Sequence, residues 1–178
     1  DSKEIGEIKK IIGLETSKVY KNTNGLRYAK VIFMTDQDLD GSHIKGLCIN
    51  FISYLWPSLL EIPDFIGFMN TPILKATKGN KSINFFNNGE YEEWKQENQD
   101  GFGYKIKYYK GLGTSTSKEF KEYFKEKRIV NFELKENDTE LIDKIFNKTK
   151  ADERKEWLSH YDRDNHVDIN SKTITYDE

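Results

Sequence analysis

At 178 residues the chain has room for one domain of ordinary size with a good core. A formal net charge of −2 excludes a uniformly basic nucleic-acid-coating protein. With no apolar run long enough to span a bilayer and no secretory signal, the chain reads as a soluble protein without membrane contact.

The first residues already carry structure. Ile5, Ile8, Ile11 and Ile12 recur at helical spacing and predict a helix over 3–13. The chain has no leading Met, so it reads as a piece of a longer protein. A polar loop through 22–25 precedes a predicted strand over 29–35. There the string Val31-Ile32-Phe33-Met34-Thr35-Asp36-Gln37-Asp38-Leu39-Asp40-Gly41-Ser42 puts three carboxylates at every second position directly after an apolar run. Like charges so close repel unless a cation or protons neutralise them. Hard oxygen donors in an open loop point to Mg²⁺ or Ca²⁺ rather than zinc.

Three other readings compete for the triplet. An EF-hand loop would begin Asp-x-Asp-x-Asp-Gly but needs a bidentate Glu at position twelve, where this chain has Leu47. A phosphatase-type loop, with one Asp as nucleophile and another as acid, wants Thr or Val where Asp40 stands. A solvated acidic turn is the common fate of short charge runs. Against it stands the location, since α/β folds place ligands at the carboxyl ends of strands.

A helix over 42–60 follows, with Ser42 as its cap. Ile44, Leu47, Cys48, Phe51, Ile52, Leu55 and Leu59 mark one wide apolar face, and Pro57 ends or kinks the helix near Trp56. Its positive dipole end faces the acids and favours their ionised form. Cys48 reads as a buried thiol in a reducing compartment. Strands follow near 66–75 and 81–87, with a hairpin turn at Asn80 to Ser82. Next come a helix over 89–98, a strand over 103–109, a helix over 117–128, a strand over 129–134, and helices over 138–148 and 151–160. A polar loop over 162–170 leads to a short strand over 173–176. Alternating strands and helices imply an α/β layer structure with a largely parallel sheet flanked by helices and a small inserted hairpin.

Charge is unevenly spread. Lys105, Lys107, Lys110, Lys118, Lys121, Lys125, Lys127 and Arg128 crowd one stretch, opposed by only Glu119, Glu122 and Glu126, whereas acids gather over 133–143 and at the C-terminus. For 121–128 a solvated mixed-charge helix and a phosphate-facing one compete. Lys110 precedes Gly111-Leu112-Gly113-Thr114, a turn whose backbone N–H groups could approach a phosphate; a simple tight turn explains the glycines equally well.

Thr35-Asp36-Gln37-Asp38-Leu39-Asp40-Gly41-Ser42-His43-Ile44-Lys45-Gly46-Leu47, Trp56-Pro57-Ser58-Leu59-Leu60, Thr71-Pro72-Ile73 and Glu92-Glu93-Trp94-Lys95 together resemble the metal-binding Toprim region of eukaryotic-type DNA topoisomerase II. Tyr108-Tyr109-Lys110-Gly111-Leu112-Gly113-Thr114-Ser115-Thr116-Ser117-Lys118-Glu119 and Arg154-Lys155-Glu156-Trp157-Leu158 occur in the same order in that family. The resemblance covers nearly the whole chain. It implies a Toprim-like domain over 1–160, N-terminally truncated so that the first strand, with its catalytic glutamate, is missing. Residues 161–178 would be a linker into a winged-helix domain. Glu4 stands too close to Asp36 to replace that glutamate.

The resemblance further implies Asp36 and Asp38 as direct Mg²⁺ ligands, with Asp40 orienting the site or binding through water, and all three as catalytic. Mn²⁺ or Ca²⁺ would substitute for Mg²⁺. His43, Lys45 and Lys110 are the expected contacts to DNA or to the metal shell, and Gly111 and Gly113 the expected backbone contacts to DNA. In the family a tyrosine in another domain attacks a phosphodiester of double-stranded DNA, freeing a 3′ hydroxyl, while ATP bound elsewhere drives strand passage. The parent enzyme would be a homodimer of the nucleus. The isolated chain, which binds no ATP and lacks the nucleophile, is expected to be inactive. A nuclease or primase of the wider Toprim group, or a catalytically silent interaction module, are the alternatives.

Overall fold

The computed structural model describes residues 2–160 and 171–175. These group into two units. Among the described residues, one holds 2–33 together with 45–68, 130–160 and 171–175; the other holds 34–44 and 69–129.

The first unit opens with α1 (Lys3–Ile12), which Ser2 caps and Gly13 ends in a left-handed conformation at φ 87°. Its sheet runs β1-β2-β6-β7, formed by β1 (Val31–Phe33), β2 (Ile66–Met69), β6 (Ile129–Glu133) and β7 (Thr173–Thr175). β1 pairs parallel to β2, with Val31 opposite Ile66, and β6 parallel to β7, with Asn131 opposite Thr173. All four residues of β2 are buried, as an inner strand requires. Most of α2 (Leu39–Leu55) belongs here. Its Ile49 and Ile52 join Trp56, Leu59, Leu60, Phe65, Ile66 and Ile142 in the core. Each such side chain contributes roughly 1.5–3 kcal/mol of burial. Trp56 is 1% exposed and donates its indole N–H to the Glu15 carbonyl at 2.8 Å. Helices α5 (Asp138–Phe146) and α6 (Ala151–Ser159) follow β6. Arg154 donates to the carbonyls of Lys144 and Ile145 at 3.0 and 2.7 Å, closing the C-terminal turn of α5.

The second unit is built on an antiparallel sheet ordered β4-β3-β5, comprising β3 (Leu74–Lys78), β4 (Lys81–Phe85) and β5 (Lys105–Tyr108). Leu74, Ala76, Phe85 and Tyr91 form its core, with Trp94, Tyr104 and Ile106 packed against them. Tyr91 and Trp94 come from α3 (Asn88–Glu97), which Asn87 caps. A further helix, α4 (Ser117–Glu126), starts from a capping box between Thr116 and Glu119.

The α/β class and most elements match expectation, and three details do not. The predicted strand over 66–75 is two strands in different sheets, because Pro72 has no N–H for a ladder and the buried Asn70–Pro72 segment departs from the first sheet. The inserted hairpin, which turns at Gly79 and Asn80, is completed by β5 into a three-stranded antiparallel sheet. Helix α2 begins at Leu39, ahead of Ser42, and stops at Leu55 before Pro57. Its apolar face is also narrower than expected, with Ile44 and Leu47 50% and 45% exposed. The predicted loop over 162–170 and residue 176 lie outside the described residues.

Candidate metal centre

Asp38 is the true cap of α2. Its backbone carbonyl accepts from Ser42 N–H at 3.0 Å, and its Oδ1 accepts from Gly41 N–H at 2.7 Å. A carboxylate does this as well as a hydroxyl, so the helix absorbs Leu39 and Asp40 into its first turn. Asp38 and Asp40 are more open to solvent there than a core position would allow, and Asp36 is half-buried. Gly41 is buried against the loop it follows: a Cβ built on it would lie 2.0 Å from the Asp36 carbonyl oxygen. No larger residue fits unless the backbone opens.

Asp36 is held from far along the chain. Leu112 N–H donates to its Oδ1 at 2.6 Å across 76 positions of sequence. Gly111, at φ 143°, brings its Cα so near that an added Cβ would meet Oδ2 at 2.7 Å. The turn is internally tied: the Gly111 carbonyl accepts from Thr114 N–H at 3.1 Å and from Thr114 Oγ1 at 2.6 Å, and the Leu112 carbonyl accepts from Ser115 N–H at 3.1 Å. Two of the four amides that the sequence offered to a phosphate, those of Leu112 and Thr114, are therefore engaged within the loop system. Gln37 donates to the Met69 carbonyl at 3.3 Å, anchoring the acidic loop from its other side.

The remaining expected residues are more dispersed. His43 is exposed on α2, Lys110 is exposed, and Gly113 is exposed with nothing within 4 Å of a Cβ placed on it. Lys45, in the first unit, sets its ammonium 4.4 Å from the Phe68 ring centroid, and burial lowers its pKa. Cys48 is a half-buried free thiol whose pKa burial raises, which keeps it protonated and inert. Among the described residues no three acidic, histidine or cysteine side chains converge as a metal cage. The donor chemistry nevertheless fits a hard cation. Asp36 and Asp38 each anchor Oδ1 on a main-chain N–H and make no hydrogen bond through Oδ2 among the described residues.

Sequence reasoning missed the group that holds the glycine turn in place. Glu119, 8% exposed, accepts from Lys107 Nζ at 2.8 and 3.0 Å, from Tyr109 Oη at 2.5 Å, and from Thr116 N–H and Oγ1 at 2.7 and 2.9 Å. Burial alone would raise its pKa. The hydrogen bonds from Lys107, Thr116 and Tyr109 outweigh burial and bring it down to about 2, while burial and the Glu119 partner push the Tyr109 phenol up. The Thr-x-x-Glu capping pattern was the available signal; Lys107, one of the basic residues of that stretch, is spent on Glu119. Because the folded pKa lies below the ordinary carboxylate value, this stabilisation is complete above about pH 4.5 and disappears as pH falls toward about 2. The shift corresponds to about 3 kcal/mol. Glu119→Gln should therefore lower the unfolding free energy at pH 7 by a few kcal/mol and flatten the acid limb of a urea-melt series between pH 5 and 2. An unchanged limb would contradict the role.

An acidic loop thus runs into a capped helix, with its first carboxylate fastened by a distant glycine turn. Residues 69–178 match the family described as the C-terminal associated domain of TOPRIM, and the chain belongs to that family. It is 48% identical over 184 residues to DNA topoisomerase 2 of Arabidopsis thaliana, covering 100% of this chain and 12% of that protein. To DNA topoisomerase 2 of Saccharomyces cerevisiae it is 48% identical over 177 residues, covering 96% and 12%. The crystal structure of the Plasmodium falciparum topoisomerase II DNA-binding, cleavage and re-ligation domain superposes with a TM-score of 0.90 at 44% identity, covering 99% of this chain and 24% of that one. The chain thus spans about an eighth of the curated relatives it matches, and the resemblance to eukaryotic-type topoisomerase II extends over its whole length.

Proposed function

We propose that this chain is the metal-binding part of an ATP-dependent type II DNA topoisomerase and supports transient cleavage and religation of double-stranded DNA. The observation that carries the reading is near-complete coverage of the chain at 44% identity by the DNA-binding, cleavage and re-ligation domain of another topoisomerase II. Asp36 and Asp38 would hold Mg²⁺ directly, and Asp40 would act through water or by orienting the site. The ion supplies charge stabilisation at the scissile phosphate and the leaving oxygen. His43, Lys45, Lys110 and the Gly111 and Gly113 backbone meet the DNA. The attacking tyrosine, the completing glutamate and the ATP site belong to other parts of the intact protein, a nuclear homodimer.

The test is a plasmid-cleavage assay of the intact protein without nucleotide. Linear product is expected with Mg²⁺ or Mn²⁺ and its loss after chelation; cleavage that survives chelation would remove the metal from the reading. The isolated chain should neither relax nor cleave supercoiled DNA in the same gels. Its Mg²⁺ affinity in a calorimeter should be weaker than micromolar, and a micromolar site would mean that the three aspartates suffice alone.

A further inference from the structure

Asp36 does not choose its own position. Its Oδ1 is bonded by the Leu112 amide at 2.6 Å, and its carboxylate rests against the bare Cα of Gly111, where a Cβ would come within 2.7 Å of Oδ2 and 2.9 Å of Cγ. The turn delivering that amide is braced at both ends. Tyr109 N–H donates to the Ile73 carbonyl at 2.9 Å, fastening the approach to β3, and the Thr116–Glu119 capping box fastens the exit to α4. The amide is therefore a rigidly mounted donor, and the hydrogen bond it makes leaves Oδ2 as the oxygen available for ligation.

Resting on the metal-loop reading above, we propose that the Leu112 main-chain N–H is a positioning group for the acidic loop: it orients Asp36, and Gly111 is required because only a residue without a side chain lets the amide reach the carboxylate. The Leu112 side chain has no part in this. Groups that orient a metal ligand through its second donor or acceptor commonly alter affinity by 10- to 100-fold when removed.

Leu112 is the first residue of a 3₁₀ turn, Leu112–Thr114, a position where the backbone tolerates proline, so Leu112→Pro deletes the amide hydrogen, and the ring Cδ that takes its place displaces Asp36 Oδ1 from its seat 2.6 Å from the nitrogen. The experiment measures Mn²⁺ binding to the intact protein by electron paramagnetic resonance, without nucleotide, for wild type, L112A, L112P, G111A and D36A, with circular dichroism melts of each. L112A, which keeps the amide, should bind within about twofold of wild type. L112P should bind at least about tenfold more weakly. G111A, which keeps every amide but crowds the carboxylate, should show a similar loss and serves where L112P fails to fold. If folded L112P, or G111A in its place, binds Mn²⁺ like L112A, the positioning role is overturned and the metal loop stands. If wild type binds no better than D36A, the metal loop itself falls and the positioning role with it.

Discussion

In the intact protein, Asp36→Ala should abolish DNA cleavage while leaving ATP hydrolysis and folding in place. Removing a preorganised charge-stabilising contact commonly costs about 10²–10³-fold in rate, and here the lost group is a proposed direct ligand. Two effects are superimposed in the alanine variant. Besides the missing oxygen for Mg²⁺, the Leu112 amide loses its acceptor, at a cost of about 1 kcal/mol in a half-buried setting. Asp36→Asn separates them, since its amide oxygen still accepts from Leu112 N–H while the charge is gone. The D36N protein should therefore melt with wild-type stability and still fail to produce linear plasmid; the D36A protein should melt a few degrees lower. Cleavage at wild-type rate by either variant would end the assignment of Asp36 to the reaction.

Gly41→Ala is the second large expected loss. The added methyl would sit 2.0 Å from the Asp36 carbonyl oxygen, 2.8 Å from its carbon and 3.1 Å from its nitrogen, all backbone atoms that no rotamer change can move aside. The loop has to open, which withdraws Asp36 from Leu112 and Asp38 from its cap. Overpacking of this kind typically costs 1–3 kcal/mol, and a backbone-to-backbone clash belongs at the upper end. Urea melts should show a loss of about 3 kcal/mol, and cleavage should fall nearly as far as in the Asp36 variants. Gly113→Ala is the stability control, because nothing lies within 4 Å of its added carbon; a near-wild-type urea melt is expected there. Equal effects at 41 and 113 would show that the close approach at Gly41 has no energetic weight.

The comparison of these two glycines shows what was legible in the residues alone. Both stand in motifs that the sequence singles out, yet nothing local separates the one pressed against backbone from the one facing open space. The start of α2 is a similar case. Ser42 and Asp38 are both good caps, and reading the acids as loop residues favoured Ser42, whereas the chain uses Asp38 and places Asp40 on the helix. Lys107 and Glu119, twelve positions apart, look like ordinary surface charges in sequence, and only burial between β5 and α4 makes them a tie that holds the glycine turn.

Properties encoded within a turn or two of chain were readable directly: the alternating carboxylates, the helical spacing of α1 and α2, the stop at Pro57, and the strings that mark topoisomerase II resemblance. They were readable because spacing, charge repulsion and backbone sterics act between near neighbours. Which oxygen of Asp36 is held, which glycine is indispensable, and why the run over 66–75 divides between two sheets were decided only by tertiary structure. Each depends on segments far apart in sequence being brought within hydrogen-bonding reach, and sequence spacing carries no record of that distance.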